Sequence, residues 1–300
     1  MLEQPHKSGY IAIVGRPNVG KSSLMNALLG TKLAIVSPKP QTTRESILGI
    51  LSTKNEQLIF LDTPGWLKPV DQVQSYMKKA IFKSLYDDAD VVLWLLEAKE
   101  LTEDEKLIAQ TLGKIPQPVF IVINKIDLHF NEEIVKRISE EINVMLGGKL
   151  AKFLRVSALI LKGIPELRNQ LLQSLPEGPA FYPKDQVTDR WERFYVSELI
   201  REKIFDIYKD EIPHASAVLV EDFVENKGRK DVIKAVILVE TLSQQKILVG
   251  NKGSAIKNLG QKARKEIEDR LGRPVYLELV VKVRPKWRQD SGFLKTLLER

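Results

Sequence analysis

Short apolar runs alternate with amphipathic stretches through the first half of this 300-residue chain. The apolar runs predict strands at Tyr10–Val14, Gln57–Leu61, Val91–Leu96, Val119–Ile123 and Phe153–Val156. Helical periodicity predicts helices between most of them, at Ser22–Leu29, Gln74–Tyr86, Glu103–Leu112 and Glu132–Leu146, with Glu166–Leu175 as a closing helix. This alternation predicts an α/β fold with a mainly parallel sheet, whose ligands bind beyond the carboxyl ends of the strands.

The second half has a different order of elements, α-β-β-α-α-β, which indicates an α+β domain. Its helices and strands are predicted at Arg190–Tyr208, Ala217–Val224, Val232–Val239, Ser243–Val249, Ser254–Leu271 and Val275–Val283. Between the halves, residues 176–186 contain three prolines, which is typical of a linker. We therefore predict a first domain at 1–176, a linker at 177–190 and a second domain at 191–300 that ends in a basic tail.

Basic residues are concentrated near the C-terminal end of the chain. Residues 243–300 contain 14 Lys or Arg and 6 Asp or Glu, and the remaining residues carry a net charge of −1. Such a segment favours a polyanionic partner, either nucleic acid or anionic lipid, although a solvated charged face has the same composition. The absence of cysteine excludes disulfides and thiol chemistry. Because the sequence has neither a secretory apolar region nor an apolar run of about 18 residues, we expect a cytoplasmic protein.

A glycine-rich motif, here called the phosphate loop, joins the first predicted strand to the first predicted helix. It consists of Gly15, Arg16, Pro17, Asn18, Val19, Gly20, Lys21 and Ser22, with Ser23 next. Gly-x-x-x-x-Gly-Lys-Ser in a strand–loop–helix context is typical of triphosphate binding, because curled backbone N–H groups and a helix N-terminus attract oxyanions. We expect Lys21 to reach the β- and γ-phosphates and Ser22 to bind Mg²⁺.

Two further segments belong to the phosphate end of the predicted site. The second predicted strand is followed by Asp62, Thr63, Pro64 and Gly65. We expect Asp62 to support Mg²⁺ and the Gly65 N–H to contact the γ-phosphate. Earlier in the chain, residues 40–44 include Thr42 and Thr43, whose hydroxyls could complete the Mg²⁺ shell while a γ-phosphate is present. We favour Thr43, and we expect this switch segment to be ordered by GTP and released by GDP.

The base loop, residues 124–127, follows the fourth predicted strand and predicts guanine specificity. The Asp127 carboxylate can accept both N1–H and the N2 amine of guanine, whereas adenine would leave that carboxylate unpaired. The Lys125 stem can lie along the base, and Asn124 can bridge this loop to the phosphate loop. After the next strand, a backbone N–H from the segment Ser157, Ala158 and Leu159 is placed to contact guanine O6. The motifs together predict that the chain binds GTP and hydrolyses it.

With these motifs in order, residues 9–175 resemble the Era family of translation-factor-related GTPases. The second half resembles a type II KH domain, because Gly250, Asn251, Lys252 and Gly253 stand between two predicted helices where that family has its Gly-x-x-Gly loop. The resemblance implies a P-loop GTPase domain followed by an RNA-binding domain, whose clamp loop (residues 250–253) holds the backbone of a short single strand. Further phosphate contacts are expected from Lys257, Lys262, Arg284 and Lys286, although these residues could equally be solvent-facing charges.

The resemblance also implies a role and a set of partners. Proteins of this family bind the 3′ end of small-subunit ribosomal RNA and assist assembly of the small subunit. We therefore expect GTP or GDP and Mg²⁺ as cofactors, and ribosomal RNA and the assembling small subunit as partners. DNA is not an expected partner, and we expect a monomer. Peripheral contact with the inner face of the cell membrane stays open.

Catalysis in this family is expected to rely on positioning and electrostatics rather than on a general base. Ras-like GTPases have a water-orienting Gln after Asp-x-x-Gly, whereas this chain has Trp66, which cannot accept a water proton. Related GTPases use K⁺ marked by an Asn in the phosphate loop, the position of Asn18. Our hypothesis is a low intrinsic rate stimulated by K⁺, with catalytic contributions from Lys21, Thr43, Gly65 and Asn18.

Two alternatives come from other functional classes. The first is a GTPase of the tRNA-modification type, but those proteins end with a functional cysteine and this chain has none. The second is a membrane-associated GTPase, but Ser254–Leu271 lacks the aromatic, broadly apolar face of an interfacial helix. Trp287 could stack on a base or fill a core, and we favour the core.

Overall fold

The computed structural model describes residues 6–37, 39, 42–128, 130–149, 151–226 and 228–298. By its internal contacts the chain divides into two compact units. The first unit comprises residues up to 70 together with 74–189, and the second comprises 71–73 together with residues from 190 onwards. The domain boundaries expected from the sequence, at 176 and 190, stay predictions. None of the helices in the described part of the chain has the length and apolar content that a bilayer crossing requires.

A six-stranded sheet forms the centre of the first unit, in the order β2-β3-β1-β4-β5-β6. Its strands are β1 (Lys7–Val14), β2 (Ile47–Ser52), β3 (Glu56–Asp62), β4 (Val91–Glu97), β5 (Val119–Asn124) and β6 (Ala151–Arg155). Neighbouring strands are parallel except β2 and β3, which are antiparallel. The predicted α/β fold with a mainly parallel sheet is confirmed. The sequence analysis missed β2, whose central Gly49 weakens the strand pattern.

In this half, a helix follows every strand except β2. The helices are α1 (Lys21–Leu29), α2 (Gln72–Lys83), a π-helical turn (Ser84–Asp88), α3 (Glu103–Leu112), α4 (Glu132–Met145) and α5 (Ile164–Ser174). Helix α3 begins with a capping box between Thr102 and Glu105, and the Asn131 side chain caps α4. Apolar residues of β1, β4 and β5 are fully buried, with Trp94 among the largest. The predicted helix Gln74–Tyr86 overlaps α2 and the π-helical turn.

Residues 176–187, here called the strap, hydrogen-bond to strands of the first unit. The Gln57 side chain donates to the Tyr182 carbonyl (2.8 Å) and accepts from the N–H groups of Phe181 (2.7 Å) and Tyr182 (3.0 Å). At the sheet edge, the Ile50 N–H donates to the Val187 carbonyl (2.8 Å). The proline-rich segment therefore has partners along the sheet for its backbone polar groups, which a free linker would expose to water.

The second unit contains a three-stranded sheet in the order β7-β8-β9. Its elements are α6 (Glu192–Ile207), α7 (Ile212–Ala215), β7 (Ala217–Val224), β8 (Asp231–Val239), α8 (Leu242–Val249), a 3₁₀ turn (Asn251–Gly253), α9 (Ser254–Leu271), β9 (Val275–Val283), a second 3₁₀ turn (Trp287–Gln289) and α10 (Ser291–Leu298). Strands β7 and β8 are antiparallel, and β8 and β9 are parallel. The predicted α-β-β-α-α-β order is confirmed, with the short helices α7 and α10 added.

Helices α6, α8 and α9 form one hydrophobic core with the sheet of the second unit. Ile200 of α6, Ile237 of β8 and Ile267 of α9 are fully buried in it. Trp287 is also fully buried, and its Nε1 donates to the Ala215 carbonyl (3.0 Å). The interpretation of Trp287 as a core residue is confirmed.

Candidate functional site

The phosphate loop lies between the carboxyl end of β1 and the first residue of α1. Gly15, Asn18 and Gly20 have positive φ angles of 151°, 64° and 100°. At Gly15 a Cβ atom would overlap the Leu95 carbonyl oxygen, so this position needs glycine. The loop therefore curls at the start of a helix, where its N–H groups and the helix dipole can bind an anion.

A pocket of about 450 Å³ opens beside this loop, a volume in the usual range for small-molecule sites. It is lined by Pro17, Asn18, Gly20, Lys21, Ser22, Ser23, Ile35, Val36, Ser37, Thr42, Thr43, Gly65 and Lys125. Most of these residues belong to the predicted site. Sequence reasoning missed Ile35, Val36 and Ser37, because they follow α1 without any motif and only the fold brings them to the pocket.

Lys21 is buried at the base of the phosphate loop. Its ammonium donates to the carbonyls of Gly15 (3.2 Å) and Arg16 (2.9 Å). Burial lowers the Lys21 pKa to about 8, against the opposing charge of Asp62. A desolvated ammonium that donates to neutral carbonyls can exchange them for a charged phosphate, which is the stronger acceptor.

Ser22, Thr43 and Asp62 come together as the sequence analysis expected. Ser22 Oγ donates to Asp62 Oδ2 (2.6 Å) and lies 3.1 Å from Thr43 Oγ1, which lies 3.4 Å from the same carboxylate oxygen. Thr42 instead donates to the Lys39 carbonyl (2.9 Å). The preference for Thr43 thus has a structural basis. Pro40 and Gln41 of the switch segment lie outside the described residues.

The environment of Asp62 suits a hard cation. Its side chain is fully buried, and its Oδ1 has no hydrogen-bond partner among the residues that the structure describes. Burial raises the Asp62 pKa to about 6, although Lys21 and the hydroxyls of Ser22 and Thr43 act in the opposite direction. A buried carboxylate beside two hydroxyls provides only oxygen donors, the ligand type that Mg²⁺ prefers. The residues therefore fit Mg²⁺.

The residues after Asp62 pack against the phosphate loop. Thr63 donates to the Ile13 carbonyl (2.7 Å), and the ideal Cβ position of Gly65 lies 2.6 Å from Pro17 Cγ. Beyond Pro64 and Gly65, the Trp66 side chain is buried, with its ring centroid 5.3 Å from that of Phe82. The indole of Trp66 is a hydrogen-bond donor only, so it cannot accept a proton from an attacking water.

Asn124 links the base loop to two other loops. Its Nδ2 donates to the Val19 carbonyl (2.9 Å), and its Oδ1 accepts from the Ala158 N–H (3.1 Å). The expected bridge from Asn124 to the phosphate loop is therefore present. Lys125 donates to the Asn18 carbonyl (2.6 Å) from the other side of the loop. Asp127 is exposed, so its carboxylate is accessible to a base edge.

In the segment Ser157, Ala158 and Leu159, two of the three backbone N–H groups already donate within the protein, so fewer are available to a base than the sequence suggested. The Ser157 N–H donates to the Lys162 carbonyl (2.9 Å), and the Ala158 N–H is taken by Asn124. Within the described ranges only the Leu159 N–H of the three lacks a partner. A guanine O6 contact here therefore uses the Leu159 N–H or shares the Ala158 N–H.

The clamp loop in the second unit is strained and open. Gly250, Lys252 and Gly253 have positive φ angles of 72°, 48° and 80°, and Asn251 and Lys252 are exposed. Lys257, Lys262 and Lys286 are exposed as well. Arg284 differs, because its guanidinium pairs with Asp290 (2.8 Å) and lies 4.0 Å from the Phe293 ring centroid. An RNA contact by Arg284 would compete with these interactions.

Comparison with known proteins agrees with this geometry. A family model described as a 50S ribosome-binding GTPase matches residues 10–125, and a KH domain model matches residues 211–288. "GTPase Era" of Lactobacillus delbrueckii subsp. bulgaricus is 46% identical over 97% of this chain and 96% of its own length. "GTPase Era" of Carboxydothermus hydrogenoformans is 43% identical over 97% of both chains.

Two solved structures are similar over nearly the whole chain. One is Era in complex with MgGDPNP and nucleotides 1506–1542 of 16S ribosomal RNA, with a TM-score of 0.91, 39% identity and coverage of 97% of this chain and 98% of that one. The other is a single-substitution variant of Aquifex aeolicus Era bound to GDP·AlF4⁻, with a TM-score of 0.91, 38% identity and the same coverage. Identity of 46% across 97% of the chain leaves one conclusion: this chain belongs to the Era family of GTPases.

Proposed function

We propose that this GTPase is a nucleotide-controlled switch that binds single-stranded RNA from the 3′ end of small-subunit ribosomal RNA and assists assembly of the small subunit. The main support for the proposal is one comparison with a solved structure. A relative with a TM-score of 0.91 over 97% of this chain was solved with MgGDPNP and a 16S ribosomal RNA segment together. The nucleotide pocket and the open clamp loop of this chain support the proposal as candidate sites for those two ligands.

The nucleotide-binding residues divide by the part of GTP that they contact. The triphosphate is assigned to Gly15, Arg16, Pro17, Asn18, Val19, Gly20, Lys21, Ser22, Ser23, Thr63, Pro64 and Gly65. Guanine is assigned to Asn124, Lys125, Asp127, Ser157, Ala158 and Leu159. Lys21 neutralises charge on the β- and γ-phosphates, and the Gly65 N–H responds to the γ-phosphate. These groups act by position and charge, without a covalent intermediate.

Ser22, Thr43 and Asp62 are the residues that would hold Mg²⁺. When bound, the ion would neutralise negative charge on the phosphate oxygens. Of these three residues, Thr43 belongs to the switch segment. Its hydroxyl is 3.1 Å from Ser22 Oγ and 3.4 Å from Asp62 Oδ2. Loss of the γ-phosphate weakens the attraction that keeps Thr43 in this group. The switch segment then separates from the phosphate loop.

The catalytic role of Asn18 rests on the same site. Trp66 is buried and its indole has no acceptor, so it cannot orient the attacking water as the Gln at that position does in Ras-like GTPases. Asn18 lines the pocket, and its side chain contains an amide oxygen, the neutral type of oxygen donor that binds K⁺. We expect faster single-turnover hydrolysis in KCl than in NaCl, with the difference abolished in Asn18→Ala. Equal rates in the two salts, with unchanged Asn18→Ala kinetics, would remove K⁺ from the proposal.

Recognition of RNA is assigned to the clamp loop and the exposed lysines around it. The residues are Gly250, Asn251, Lys252, Gly253, Lys257, Lys262 and Lys286, with Arg284 conditional on release from Asp290. The loop N–H groups and ammonium charges fit a phosphodiester backbone. The matching GTPase family model has a description that refers to the 50S subunit, but the solved relative carries 16S RNA, which supports the small subunit.

The test is RNA binding by the full-length protein in two nucleotide states. We expect a fluorescent oligonucleotide from the 3′ end of small-subunit RNA to bind more tightly than one of equal length from large-subunit RNA. By linkage, any change in RNA affinity between GDP and a non-hydrolysable GTP analogue must equal the change in nucleotide affinity caused by RNA. Equal affinity for both oligonucleotides, or for anionic vesicles and RNA, would contradict the proposed function.

A further inference from the structure

The last residue of β4, Glu97, lies directly beside the base loop. In the parallel register of β4 and β5, Glu97 is paired with Asn124. The backbone hydrogen bonds of the sheet therefore hold the Glu97 Cα next to the first residue of the base loop, whatever the side chains do. Glu97 belongs to no motif that the sequence analysis singled out, since its role depends on a neighbouring strand.

Both oxygens of the Glu97 carboxylate accept from lysines. Lys125 Nζ lies 2.5 Å from Oε1, and Lys99 Nζ lies 2.5 Å from Oε2. The Glu97 side chain is 20% exposed, whereas that of Lys99 is 66% exposed. Partial burial alone would raise the pKa of Glu97, but the hydrogen bonds from Lys125 and Lys99 outweigh it and keep the pKa below its ordinary value. The carboxylate is thus charged and sheltered from solvent screening.

The ammonium of Lys125 connects Glu97 to the phosphate loop. Besides its bond to Glu97, Lys125 Nζ donates to the Asn18 carbonyl at 2.6 Å. Lys125 and Asn18 both have left-handed backbones, with φ angles of 61° and 64°. Asparagine adopts such an angle readily, but a lysine does so rarely, and at Lys125 the angle persists because surrounding contacts impose it. The Lys125 ammonium therefore holds the base loop against the phosphate loop, and Glu97 is its anionic anchor.

We propose that Glu97 is a positioning residue for guanine nucleotide binding, which sets the distance between the base loop and the phosphate loop by holding Lys125 against the Asn18 carbonyl. The proposal rests on the proposed assignment of these loops to GTP. Glu97 itself does not touch the nucleotide. Because both GTP and GDP contact the base loop and the phosphate loop, loss of the anchor weakens both nucleotides by a similar factor and leaves the hydrolytic step unchanged.

Glu97→Gln removes the charge of the proposed anchor with almost no change in side-chain shape. Lys99→Ala is the matched control, because it removes the other lysine that contacts the Glu97 carboxylate. We expect Glu97→Gln to accelerate release of fluorescent GDP and to raise the KM for GTP, each roughly tenfold, with kcat within about twofold of the original value. Lys99→Ala should release GDP at the original rate. Glu97→Asp, which keeps the charge on a shorter stem, should restore part of the loss.

A double-mutant cycle with Lys125→Met separates positioning from general stability. If Glu97 acts through Lys125, Glu97→Gln has no further effect on GDP release in the Lys125→Met background. Additive effects, an equal effect of Lys99→Ala, or a Glu97→Gln release rate like that of the unaltered protein would each overturn the proposal. Should Glu97→Gln fold poorly, as judged by nucleotide-free melting, Glu97→Asp and its cycle with Lys125→Met give the same decision. Failure of the unaltered protein to bind GDP would instead contradict the proposed function.

Discussion

The nucleotide site and the clamp loop are both proposed to bind phosphate groups, and their residues are held in place by different physical means. In the nucleotide site, buried side chains such as Lys21, Asp62 and Asn124 are fixed by contacts between separate strands and loops. In the clamp loop, Lys252 is exposed and the strain lies in the backbone of a single short turn. Selective binding of one nucleotide is favoured by a preorganised network of largely buried side chains, whereas tolerant binding of a strand is favoured by accessible charge and a backbone shape.

The same substitution, glycine to alanine, should separate the two regions most strongly. At Gly15 the new methyl group would overlap the Leu95 carbonyl, and we expect nucleotide affinity to fall by about three orders of magnitude. At Gly253 no heavy atom lies within 4 Å of the new Cβ, so only left-handed strain of about 1–2 kcal/mol is added. Calorimetry with GDP and thermal unfolding measure the two effects.

Gly148→Ala is the control, since Gly148 has φ 84° and open space around it but lies outside the pocket lining. Gly148→Ala should add about the same backbone strain as Gly253→Ala, lower the free energy of unfolding by a similar amount and leave GDP affinity unchanged. The contrast between a crowded site and an open loop would fail if Gly15→Ala bound GDP normally.

Asp127→Asn should change which base is bound rather than only how tightly. The carboxylate of Asp127 accepts two N–H groups from guanine, whereas an amide offers one donor and one acceptor. We expect GTP affinity to fall by about 100-fold and xanthosine triphosphate, which has a carbonyl at C2, to bind better than GTP. Competition assays with GTP, ATP and xanthosine triphosphate measure the order. Asp185→Asn, at an exposed aspartate of the strap, should keep the original preference; unchanged preference in Asp127→Asn would contradict the guanine assignment.

Trp287→Phe tests whether the large aromatic side chain near the basic tail belongs to the core. Trp287 is fully buried and donates to the Ala215 carbonyl at 3.0 Å, so the change leaves a gap and an unpaired carbonyl. We expect a loss of about 1–3 kcal/mol in the free energy of unfolding and unchanged RNA affinity. Trp191→Phe is the matched control, because Trp191 is 83% exposed and should be neutral. Weakened RNA binding by Trp287→Phe without destabilisation would indicate base stacking instead.

Lys252→Ala should have the smallest effect. Its exposed ammonium acts as one charge among several, so we expect RNA affinity to fall between about threefold and tenfold, and the dependence of log affinity on log salt to lose about one unit of slope. GTP hydrolysis without RNA should not change. Lys209→Ala removes an exposed charge of the second unit that is not assigned to RNA, and its salt slope should match that of the unaltered protein. Identical slopes for both variants would argue against a phosphate contact at Lys252.

Much of the fold and the site was predictable because local patterns encode it. Hydrophobic periodicity identified five strands of the first sheet, and the position of Lys21 at the start of α1 follows from a motif in which loop and helix are contiguous. Asn124 could be assigned a bridging role because its motif carries that geometry. Local patterns did not identify β2, an edge strand interrupted by Gly49. Its hydrophobic pattern is weak, and its strand conformation depends on pairing with β3.

Residues whose role depends on distant partners escaped prediction. Gln57 reads as an ordinary polar residue of a strand, yet it is fully buried and anchors the strap through Phe181 and Tyr182. The proline content of this segment suggested a linker. Composition indicates that a segment forms neither helix nor sheet, but it does not show which groups its backbone bonds to. Arg284 was expected to be as available as its neighbours, and only the fold reveals its pairing with Asp290.

Residues close together in the chain were enough to predict the order of elements, the phosphate and base motifs, and the basic clamp loop, because each is a local pattern. The folded structure was needed to show that Thr43 rather than Thr42 approaches Asp62, that the Ala158 N–H is already engaged, and that Glu97 pairs with Lys125. These relations join residues from different strands and loops. Their free energy comes from burial and register in the folded sheet, which no local pattern of side chains records.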